Sequence, residues 1–243
     1  MLSLEEVCKR IQPADAEVMH RVWKIWDNKC IPLRSLDWLQ ETLVRIAGVQ
    51  RTTRPSIERK LTIVMAADNG VIAEGVSQSD YHVTTQVVEN MLHRRATIAL
   101  MSEKAGSDFL VADMGMKEKV DGVLNLSRMR GTDNIACGPA MSRETAAAAI
   151  EAGANLALQK AAEGYQLLST GEMGIGNTTS SSAVLAVLSG RRAADVTGRG
   201  AGLSAKGLSG KFGLLKRLLP LISQIQRMPL MCCQRSAAWI LRD

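Results

Sequence analysis

Aromatic side chains are scarce in this sequence, where phenylalanine, tyrosine and tryptophan together make up 3% of the 243 residues. Proteins that bind single-stranded nucleic acid use such rings as stacking platforms, so this function is disfavoured. No uninterrupted apolar run reaches the roughly 18 residues of a membrane span, and the acidic start at Glu5-Glu6 does not resemble a signal peptide. We therefore expect no membrane partner.

The five cysteines have no CxxC spacing, which argues against a thiolate metal site. Their odd number is typical of reduced thiols, which predicts a cytoplasmic protein.

All of the excess positive charge lies at one end of the chain. The formal net charge is +6, and residues 205–243 contain seven basic residues and one acid, so residues 1–204 are neutral. A basic tail can attract nucleic acid, which leaves a nucleic-acid-binding protein open as one alternative. The neutral body argues against that alternative, and we expect no nucleic-acid partner.

Short apolar runs alternate with helical segments from residue 61 onward. Residues 4–50 have helical spacing; strands are predicted over 61–67, 108–113 and 165–169, and helices over 83–104, 143–162 and 181–188, with Ser142 as the N-cap of the helix over 143–162. This pattern predicts an α/β fold, in which a parallel sheet flanked by helices follows a small helical N-terminal subdomain.

Each predicted strand ends in polar or glycine-rich sequence. These ends are Asp68-Asn69-Gly70, Asp113-Met114-Gly115 and Gly171-Glu172. Because ligands of parallel sheets bind beyond the carboxyl ends of the strands, we expect the three corners to face one crevice. Asp68 either lines that crevice or is a solvated strand-end residue; the sequence favours neither.

The segment 171–180, GEMGIGNTTS, combines three glycines with an acid, an amide and a row of hydroxyls. Glycines let backbone N–H groups approach a ligand, and the predicted helix that follows presents free N–H donors at its N-terminus, which together predict an anion site. The spacing resembles a P-loop, but Asn177 replaces the lysine that holds β- and γ-phosphates. A monophosphate is therefore a better candidate than a triphosphate. An ordinary tight turn between a strand and a helix is the alternative.

Five motifs in order resemble the nicotinate-nucleotide:dimethylbenzimidazole phosphoribosyltransferases. They are AADNGVIAEGVS, VTTQVVENML, GTDNIACGPAMS, GEMGIGNTT and VTGRGAGLS. The N-terminal segment PLRSLDWLQETLVRIAGVQ is also similar, although Arg34 and Asp37 stand where the family more often has glycine. The similarity extends from about Leu4 to about Leu208, and it implies a Rossmann-like fold.

The resemblance implies a pentosyltransferase of cobalamin biosynthesis. In that reaction, phosphoribose moves from nicotinate mononucleotide to 5,6-dimethylbenzimidazole, which gives α-ribazole 5′-phosphate and nicotinate. The family needs no cofactor or metal and forms homodimers. A non-catalytic binder of nucleotides or azoles, which keeps the phosphate loop alone, is the alternative.

The resemblance also assigns roles to individual residues. Glu172 corresponds to a supporting catalytic carboxylate; alternatively, it caps the backbone of its own turn. The substrate-binding residues that it implies are Ser79 and Gln86 for the benzimidazole, and Gly174, Asn177, Thr178, Gly200 and Lys211 for the nucleotide and its phosphate. His82 and His93 are interpreted as surface residues of a helix.

The last segment departs from the family. The resemblance divides the chain into a helical segment at 1–55, an incomplete α/β core at 56–208 and an aberrant tail at 209–243. A permitted choice of codons for residues 220–243 reads, in a neighbouring frame, INKPDPKDALDVLSKVGGLDIAG, which resembles the next family segment. The hypothesis is therefore a frameshift that removes the C-terminal part of the fold and the family's catalytic glutamate, which predicts poor stability and little activity. The alternative is an amphipathic helix, since Leu214, Leu215, Leu218 and Leu219 have helical spacing.

Overall fold

A computed structural model describes residues 1–223, which form two units: Leu2–Arg59 and a second unit that begins at Lys60. The first unit is helical, as predicted, with α1 at Leu4–Arg10, α2 at Ala16–Asp27 and α3 at Trp38–Gln50. Ser3 and Asp15 accept hydrogen bonds from backbone N–H groups in the first turns of α1 and α2, which explains where these helices begin. Four buried residues of α2 and α3 form its core: Val18, Val22, Val44 and Ala47.

The second unit contains a parallel sheet of four strands in the order β3-β2-β1-β4. The strands are β1 at Lys60–Ala67, β2 at Ser107–Gly115, β3 at Leu124–Asn125 and β4 at Leu167–Met173. β1 lies in the middle, where Val64 is paired with Val111 on one side and with Gly171 on the other. Its unbroken apolar run is explained by burial on both faces of the sheet.

Helices cover both faces of this sheet. They are α4 at His82–Leu92, α5 at Thr97–Lys104, α6 at Arg143–Ala162, α7 at Asn177–Ser189, α8 at Ala193–Val196 and α9 at Ala205–Ser223, with a 3₁₀ turn at Gly70–Glu74. Val64 and Ala66 of β1 pack with Val88 and Met91 of α4. Leu61 and Ile63 of the same strand pack with Leu156 of α6. The alternation of side chains along β1 therefore divides it between two helical layers, which confirms the α/β fold.

Two predicted elements have different bounds in the structure. The helix expected over 83–104 is two helices, because the Asn90 carbonyl accepts hydrogen bonds from the amides of Arg95 and Ala96 and Arg94 has a φ of 54°. The strand expected over 165–169 lies at Leu167–Met173, since its pairing with β1 sets its position. Gly171 and Glu172 are consequently inside the strand, not after it, and the following helix begins at Asn177 instead of residue 181.

Helix α9 occupies the start of the segment interpreted as an aberrant tail. Leu214, Leu215 and Leu218 are buried in one cluster with Val71 and, from α7, Ala183 and Val187. The leucine spacing that favours a helix is thus matched over Ala205–Ser223. The rest of that tail, residues 224–243, lies outside the described residues, and with it most of the segment on which the frameshift hypothesis depends.

Candidate functional site

The carboxyl ends of β1, β2 and β4 adjoin one another, as the sequence predicts. The Asp68 amide donates a 3.0 Å hydrogen bond to the Gly115 carbonyl, which joins the ends of β1 and β2. Gly174, just after β4, lies so close to β1 that a Cβ atom there would be 2.0 Å from the Ala67 carbonyl oxygen. Only glycine fits in that position. A narrow turn therefore leads from β4 across the end of β1 into α7.

Fewer backbone donors are free in this turn than the sequence predicts. The Ile175 amide donates to Thr84 Oγ1 at 3.1 Å, the Asn177 amide to the Gly174 carbonyl at 3.1 Å, and the Thr178 amide to Asn177 Oδ1 at 2.7 Å. Within residues 1–223, the Gly176 amide has no hydrogen-bond partner. The expected row of free N–H groups is thus reduced to a single one at the start of α7.

Glu172 is held by a side-chain amide. Asn177 Nδ2 lies 2.6 Å from Glu172 Oε1 and 2.7 Å from Oε2, so that one N–H₂ group contacts both carboxylate oxygens. Such charge-assisted contacts are stronger than those between neutral groups. Within residues 1–223 no backbone N–H group donates to the Glu172 carboxylate, so the alternative in which it caps its own turn is not observed there. The carboxylate is exposed and held at the C-terminal end of β4.

Lys211 of α9 is buried beside the start of α7. Its side chain is fully buried, and Nζ donates to Thr178 Oγ1 at 2.8 Å and to the Gly198 carbonyl at 3.3 Å. Among the described residues no carboxylate pairs with this ammonium, and burial lowers the pKa of Lys211. Gly200 adjoins the same hydroxyl, since a Cβ atom there would lie 2.7 Å from Thr178 Oγ1.

A cavity of about 40 Å³ opens between these segments. Its lining comes from three stretches of chain: Val76, Ser77 and Gln78; Ile175, Gly176, Asn177 and Thr178; and Arg199, Gly200, Ala201 and Leu203. The volume is that of roughly three water molecules, which suits one phosphoryl group. The amides of Gly200 and Ala201, like that of Gly176, have no partner within residues 1–223. The cavity therefore combines unpaired N–H donors with a hydroxyl whose partner is an ammonium.

Asp68 is not a solvated strand-end residue. It is fully buried, its Oδ2 accepts a 2.7 Å hydrogen bond from the Lys117 amide, and its Oδ1 has no partner in the described part of the chain. Burial raises the pKa of the Asp68 carboxyl, against the opposing effect of the Lys117 amide. This carboxyl fastens the segment after β2 to the end of β1.

The residues assigned to the benzimidazole do not line this cavity. Ser79 is half-buried just before α4, where its amide donates to Ser77 Oγ at 3.2 Å, and Gln86 is exposed on α4. Since Ser77 lines the cavity, the loop that carries Ser79 adjoins it. His93 is an exposed residue at the end of α4, as expected. His82 is also exposed, but its ring contacts Glu118 at 2.9 Å.

Sequence reasoning missed two buried polar residues that position the turn. Thr84 is fully buried on α4, and its Oγ1 accepts a hydrogen bond from the Ile175 amide. Asn69 Oδ1 accepts a 3.0 Å hydrogen bond from Ser180 Oγ of α7. Thr84 has a recognisable signal, because it occupies an apolar stripe with Val88 and Met91 at helical spacing. Asn69 has no recognisable signal in the sequence beyond its position directly after a strand.

Two further observations concern the described residues alone. No group of three histidine, cysteine, aspartate or glutamate side chains there could hold a metal ion. None of the helices there is both long and apolar enough to cross a membrane.

Residues 11–236 match a family model described as Phosphoribosyltransferase. The nicotinate-nucleotide–dimethylbenzimidazole phosphoribosyltransferase of Alkaliphilus metalliredigens is 39% identical over 222 residues, which are 90% of this chain and 64% of the relative. The protein with the same name from Geobacter metallireducens is 40% identical over 222 residues, or 90% and 63% of the two chains. The chain thus spans less than two thirds of the length of these relatives.

A solved structure has the same fold. The crystal structure of CobT from Thermus thermophilus superposes with a TM-score of 0.82 at 36% sequence identity, over 90% of this chain and 67% of that one. The similarity therefore covers most of the described sheet and helices.

Proposed function

Because the chain belongs to this phosphoribosyltransferase family, we propose that it transfers phosphoribose from nicotinate mononucleotide to 5,6-dimethylbenzimidazole, which yields α-ribazole 5′-phosphate and nicotinate. The observation that carries the proposal is the buried ammonium of Lys211, which has no carboxylate partner within residues 1–223 and adjoins a cavity with unpaired amides. The relatives named above are enzymes of this reaction by name.

A phosphate explains why this ammonium is retained. Burial of an unpaired charge is unfavourable, and hydrogen bonds to Thr178 Oγ1 and the Gly198 carbonyl offset only part of that penalty. A phosphate dianion in the cavity supplies the missing negative charge and accepts from the amides of Gly176, Gly200 and Ala201. The site is small enough for a single phosphoryl group, which agrees with a ribonucleoside monophosphate and disfavours a triphosphate.

Glu172 fits the chemistry at the other end of the ribose. Breaking the C1′–N bond of nicotinate mononucleotide leaves positive charge on C1′ and the ring oxygen, and a carboxylate held in place stabilises such charge. Asn177 lies between Glu172 and Thr178, so it connects the carboxylate to the phosphate end of the cavity. We assign Glu172 the supporting role, and Ser79 and Gln86 the benzimidazole.

Calorimetry with nicotinate mononucleotide and a chromatographic assay of nicotinate release test the proposal on the 243-residue chain. Lys211→Met removes the buried ammonium, and Lys216→Met is the matched control because Lys216 is exposed on the same helix. Losing a hydrogen bond to a charged group weakens binding roughly 10- to 100-fold, so we expect that loss for Lys211→Met alone.

Three outcomes bear on the proposed transferase. Equal loss in both variants, or no nucleotide binding by the wild-type chain, contradicts the proposal. Binding without nicotinate release favours the alternative of a non-catalytic nucleotide binder. It would also agree with the little activity that the sequence predicts.

The same proposal includes a homodimer in the cytoplasm, with no nucleic-acid or membrane partner. Sedimentation velocity gives the mass directly, and a monomer across the micromolar range would contradict the dimer. The proposal also includes the division of the chain into segments at 1–55, 56–208 and 209–243. Limited proteolysis that first cuts inside 56–208 would contradict this division.

A further inference from the structure

A second cavity lies where β1, β2 and β4 end, beside the 40 Å³ cavity proposed for the phosphate. Its volume is about 10 Å³, roughly the smallest space that holds one water molecule. Three polar side chains line it: Asn69, Glu172 and Asn177. The rest of its lining is apolar and consists of alanine and methionine side chains. Because Asn177 lines both cavities, the small cavity extends the proposed nucleotide site toward the ends of β1 and β2.

The side-chain amide of Asn69 is oriented by α7. Its Oδ1 accepts a buried 3.0 Å hydrogen bond from Ser180 Oγ, so the NH₂ group on the same carbon points elsewhere. That group lies beside the glycine turn, since a Cβ atom on Gly174 would be 3.0 Å from Asn69 Nδ2. Within residues 1–223, Nδ2 has no hydrogen-bond partner.

This nitrogen is not enclosed by the protein. In the described part of the chain, the buried side-chain atoms that lack a partner are Asp68 Oδ1 and Thr179 Oγ1, and Asn69 Nδ2 is not among them. Asn69 as a residue is nevertheless only 4% exposed, so its conformation is fixed by packing. Asn69 therefore offers the small cavity an oriented N–H donor that is still free.

Glu172 supplies the acceptor of the same cavity. Its two oxygens contact Asn177 Nδ2 at 2.6 and 2.7 Å, and within residues 1–223 no other donor reaches them. Each carboxylate oxygen can accept a further hydrogen bond, whereas the NH₂ group of an asparagine only donates. A hydroxyl group both donates and accepts. A donor and an acceptor around a space of this size are thus complementary to one hydroxyl group.

The place of the small cavity along the nucleotide indicates which hydroxyl enters it. In the proposed complex the 5′-phosphate lies beside Thr178 and Lys211, and Glu172 faces C1′ of the ribose. The 2′-hydroxyl is bonded to the carbon next to C1′, so it is the hydroxyl nearest to Glu172. A hydrogen bond from that hydroxyl to a carboxylate strengthens as positive charge develops at the neighbouring carbon.

We propose that Asn69 and Glu172 form a subsite for the 2′-hydroxyl of the nucleotide, with Ser180 as the residue that positions the Asn69 amide; this rests on the proposed function. The 2′-hydroxyl donates to a Glu172 oxygen and accepts from Asn69 Nδ2. A 2′-deoxyribonucleotide leaves both groups without this partner, and the apolar remainder of the lining offers no replacement. The subsite therefore selects ribonucleotides over 2′-deoxyribonucleotides.

Calorimetry of the 243-residue chain with three ligands tests the subsite: nicotinate mononucleotide, its 2′-deoxy analogue and its 3′-deoxy analogue. Equilibrium affinity is the readout, because loss of the 2′-hydroxyl changes the intrinsic reactivity of C1′. Two hydrogen bonds are lost, one of them to a charged group, so we expect the wild-type chain to bind the 2′-deoxy analogue about 100-fold more weakly than the ribonucleotide.

Substitutions of Asn69 should reduce this 2′-deoxy penalty. Asn69→Asp removes the donor and keeps an oxygen for Ser180 Oγ, and Asn69→Leu removes both polar groups. In both variants the penalty should fall to about 10-fold or less, the effect of the one remaining hydrogen bond, while the 3′-deoxy penalty stays at its wild-type value. Ser180→Ala should reduce the 2′-deoxy penalty as well, because the Asn69 amide is then free to turn.

The ratio of affinities separates recognition of the hydroxyl from a structural defect, which would weaken all three ligands together. Asn125→Asp is the matched control, since Asn125 is exposed on β3 and the new carboxylate still accepts the Ser127 amide. Equal affinity of the wild-type chain for the ribonucleotide and its 2′-deoxy analogue overturns the subsite and leaves the proposed function intact. A full 2′-deoxy penalty in both Asn69 variants does the same. Absence of any nucleotide binding by the wild-type chain instead contradicts the proposed function, and the subsite with it.

Discussion

The Lys211 ammonium donates a 2.8 Å hydrogen bond to the Thr178 hydroxyl and thereby joins α9 to the first turn of α7. The two residues are 33 positions apart in the chain; Lys211 is fully buried, whereas Thr178 is exposed at the start of α7. A hydroxyl that accepts from an ammonium keeps its own proton free for another acceptor. The pair thus presents an O–H donor, supported by a positive charge, beside the cavity.

The titration of Lys211 gives opposite pH dependences for stability and for phosphate binding. Burial lowers the pKa of Lys211, so the folded protein loses this proton at a lower pH than the unfolded chain, whose lysines titrate near 10.4. Between those two values the unfolded state binds more protons, and the free energy of unfolding of the free protein rises with pH. Phosphate needs the ammonium, so its affinity should fall in the same window.

Thermal unfolding and calorimetry with nicotinate mononucleotide from pH 7 to 10 check both trends. Lys211→Met is the reference, because subtracting its profile removes the titration of all other groups. We expect the wild-type protein to gain stability relative to this variant as pH rises and to lose affinity. Parallel profiles for the two proteins would mean that the Lys211 ammonium does not titrate in this range.

The contact between Asn177 and Glu172 can be tested by exchanging the two groups. Asn177→Asp places a second carboxylate beside Glu172, where the contact distances are 2.6 and 2.7 Å, and keeps an acceptor for the Thr178 amide. We expect this variant to lose stability through like-charge repulsion, by about 1 kcal/mol, and to release nicotinate at least about 10-fold more slowly.

The double variant Glu172→Gln, Asn177→Asp restores one amide and one carboxylate with their places exchanged. Its melting temperature should return towards that of the wild type, because the hydrogen bond forms again. Its rate of nicotinate release should remain low, since the carboxylate no longer extends from β4. Recovery of the rate together with the melting temperature would show that the position of the carboxylate does not matter.

The elements that depend on neighbouring residues are predicted well from the sequence. Helix α6 has the predicted bounds and N-cap, because the Ser142 hydroxyl accepts the Thr145 amide and an alanine-rich segment follows. β1 was recognisable from its apolar run. The meeting of the strand ends follows from the topology of a parallel sheet, and it is present.

The elements that depend on distant contacts were not predicted correctly. β4 begins two residues later than expected, because pairing with β1 selects Leu167–Met173. The burial of Lys211 has no local signal, since lysines are normally exposed, and it results from the packing of α9 against α7. The free amides of the turn were overestimated because the Thr84 hydroxyl and the Asn177 side chain occupy two of them. Such occupancy depends on which helix packs against the turn.

The ionised carboxylate of Asp68 should lower the free energy of unfolding, because its charge is buried. Burial raises the pKa of this carboxyl, so above the unfolded value near 3.9 the folded state holds its proton longer than the unfolded chain. Stability therefore falls as pH rises through that window. Asp68→Asn keeps an oxygen for the Lys117 amide and removes the charge, so we expect it to raise stability at pH 7 by about 1 kcal/mol.

Chemical denaturation at pH 7 and pH 4 checks this expectation. The gain should shrink at the lower pH, where a larger fraction of Asp68 is protonated in the folded state. Asp121→Asn is the control, since Asp121 is exposed and its substitution should change stability little at either pH. A loss of stability in Asp68→Asn at pH 7 would mean that the charge itself is needed, for example by the Lys117 segment.

The two glycines Gly174 and Gly153 should respond in opposite ways to the same substitution. In Gly174→Ala the added Cβ would lie 2.0 Å from the Ala67 carbonyl, so β1 or the turn must move. Forced overpacking against backbone destabilises a protein by about 3 kcal/mol or more, and here it also displaces Gly176 and Asn177 from the cavity.

Gly153→Ala is the comparison. Its added Cβ would lie at an ordinary 3.5 Å from Met65 Cε. Because Gly153 lies inside α6, where alanine has the higher helix propensity, this variant should be more stable than the wild type by about 1 kcal/mol. Urea denaturation measures both changes, and the nucleotide affinity should fall only for Gly174→Ala. Equal stability of the two variants would show that the turn after β4 can move away from β1. The close contact between Gly174 and the Ala67 carbonyl, on which the shape of the cavity depends, would then not be required.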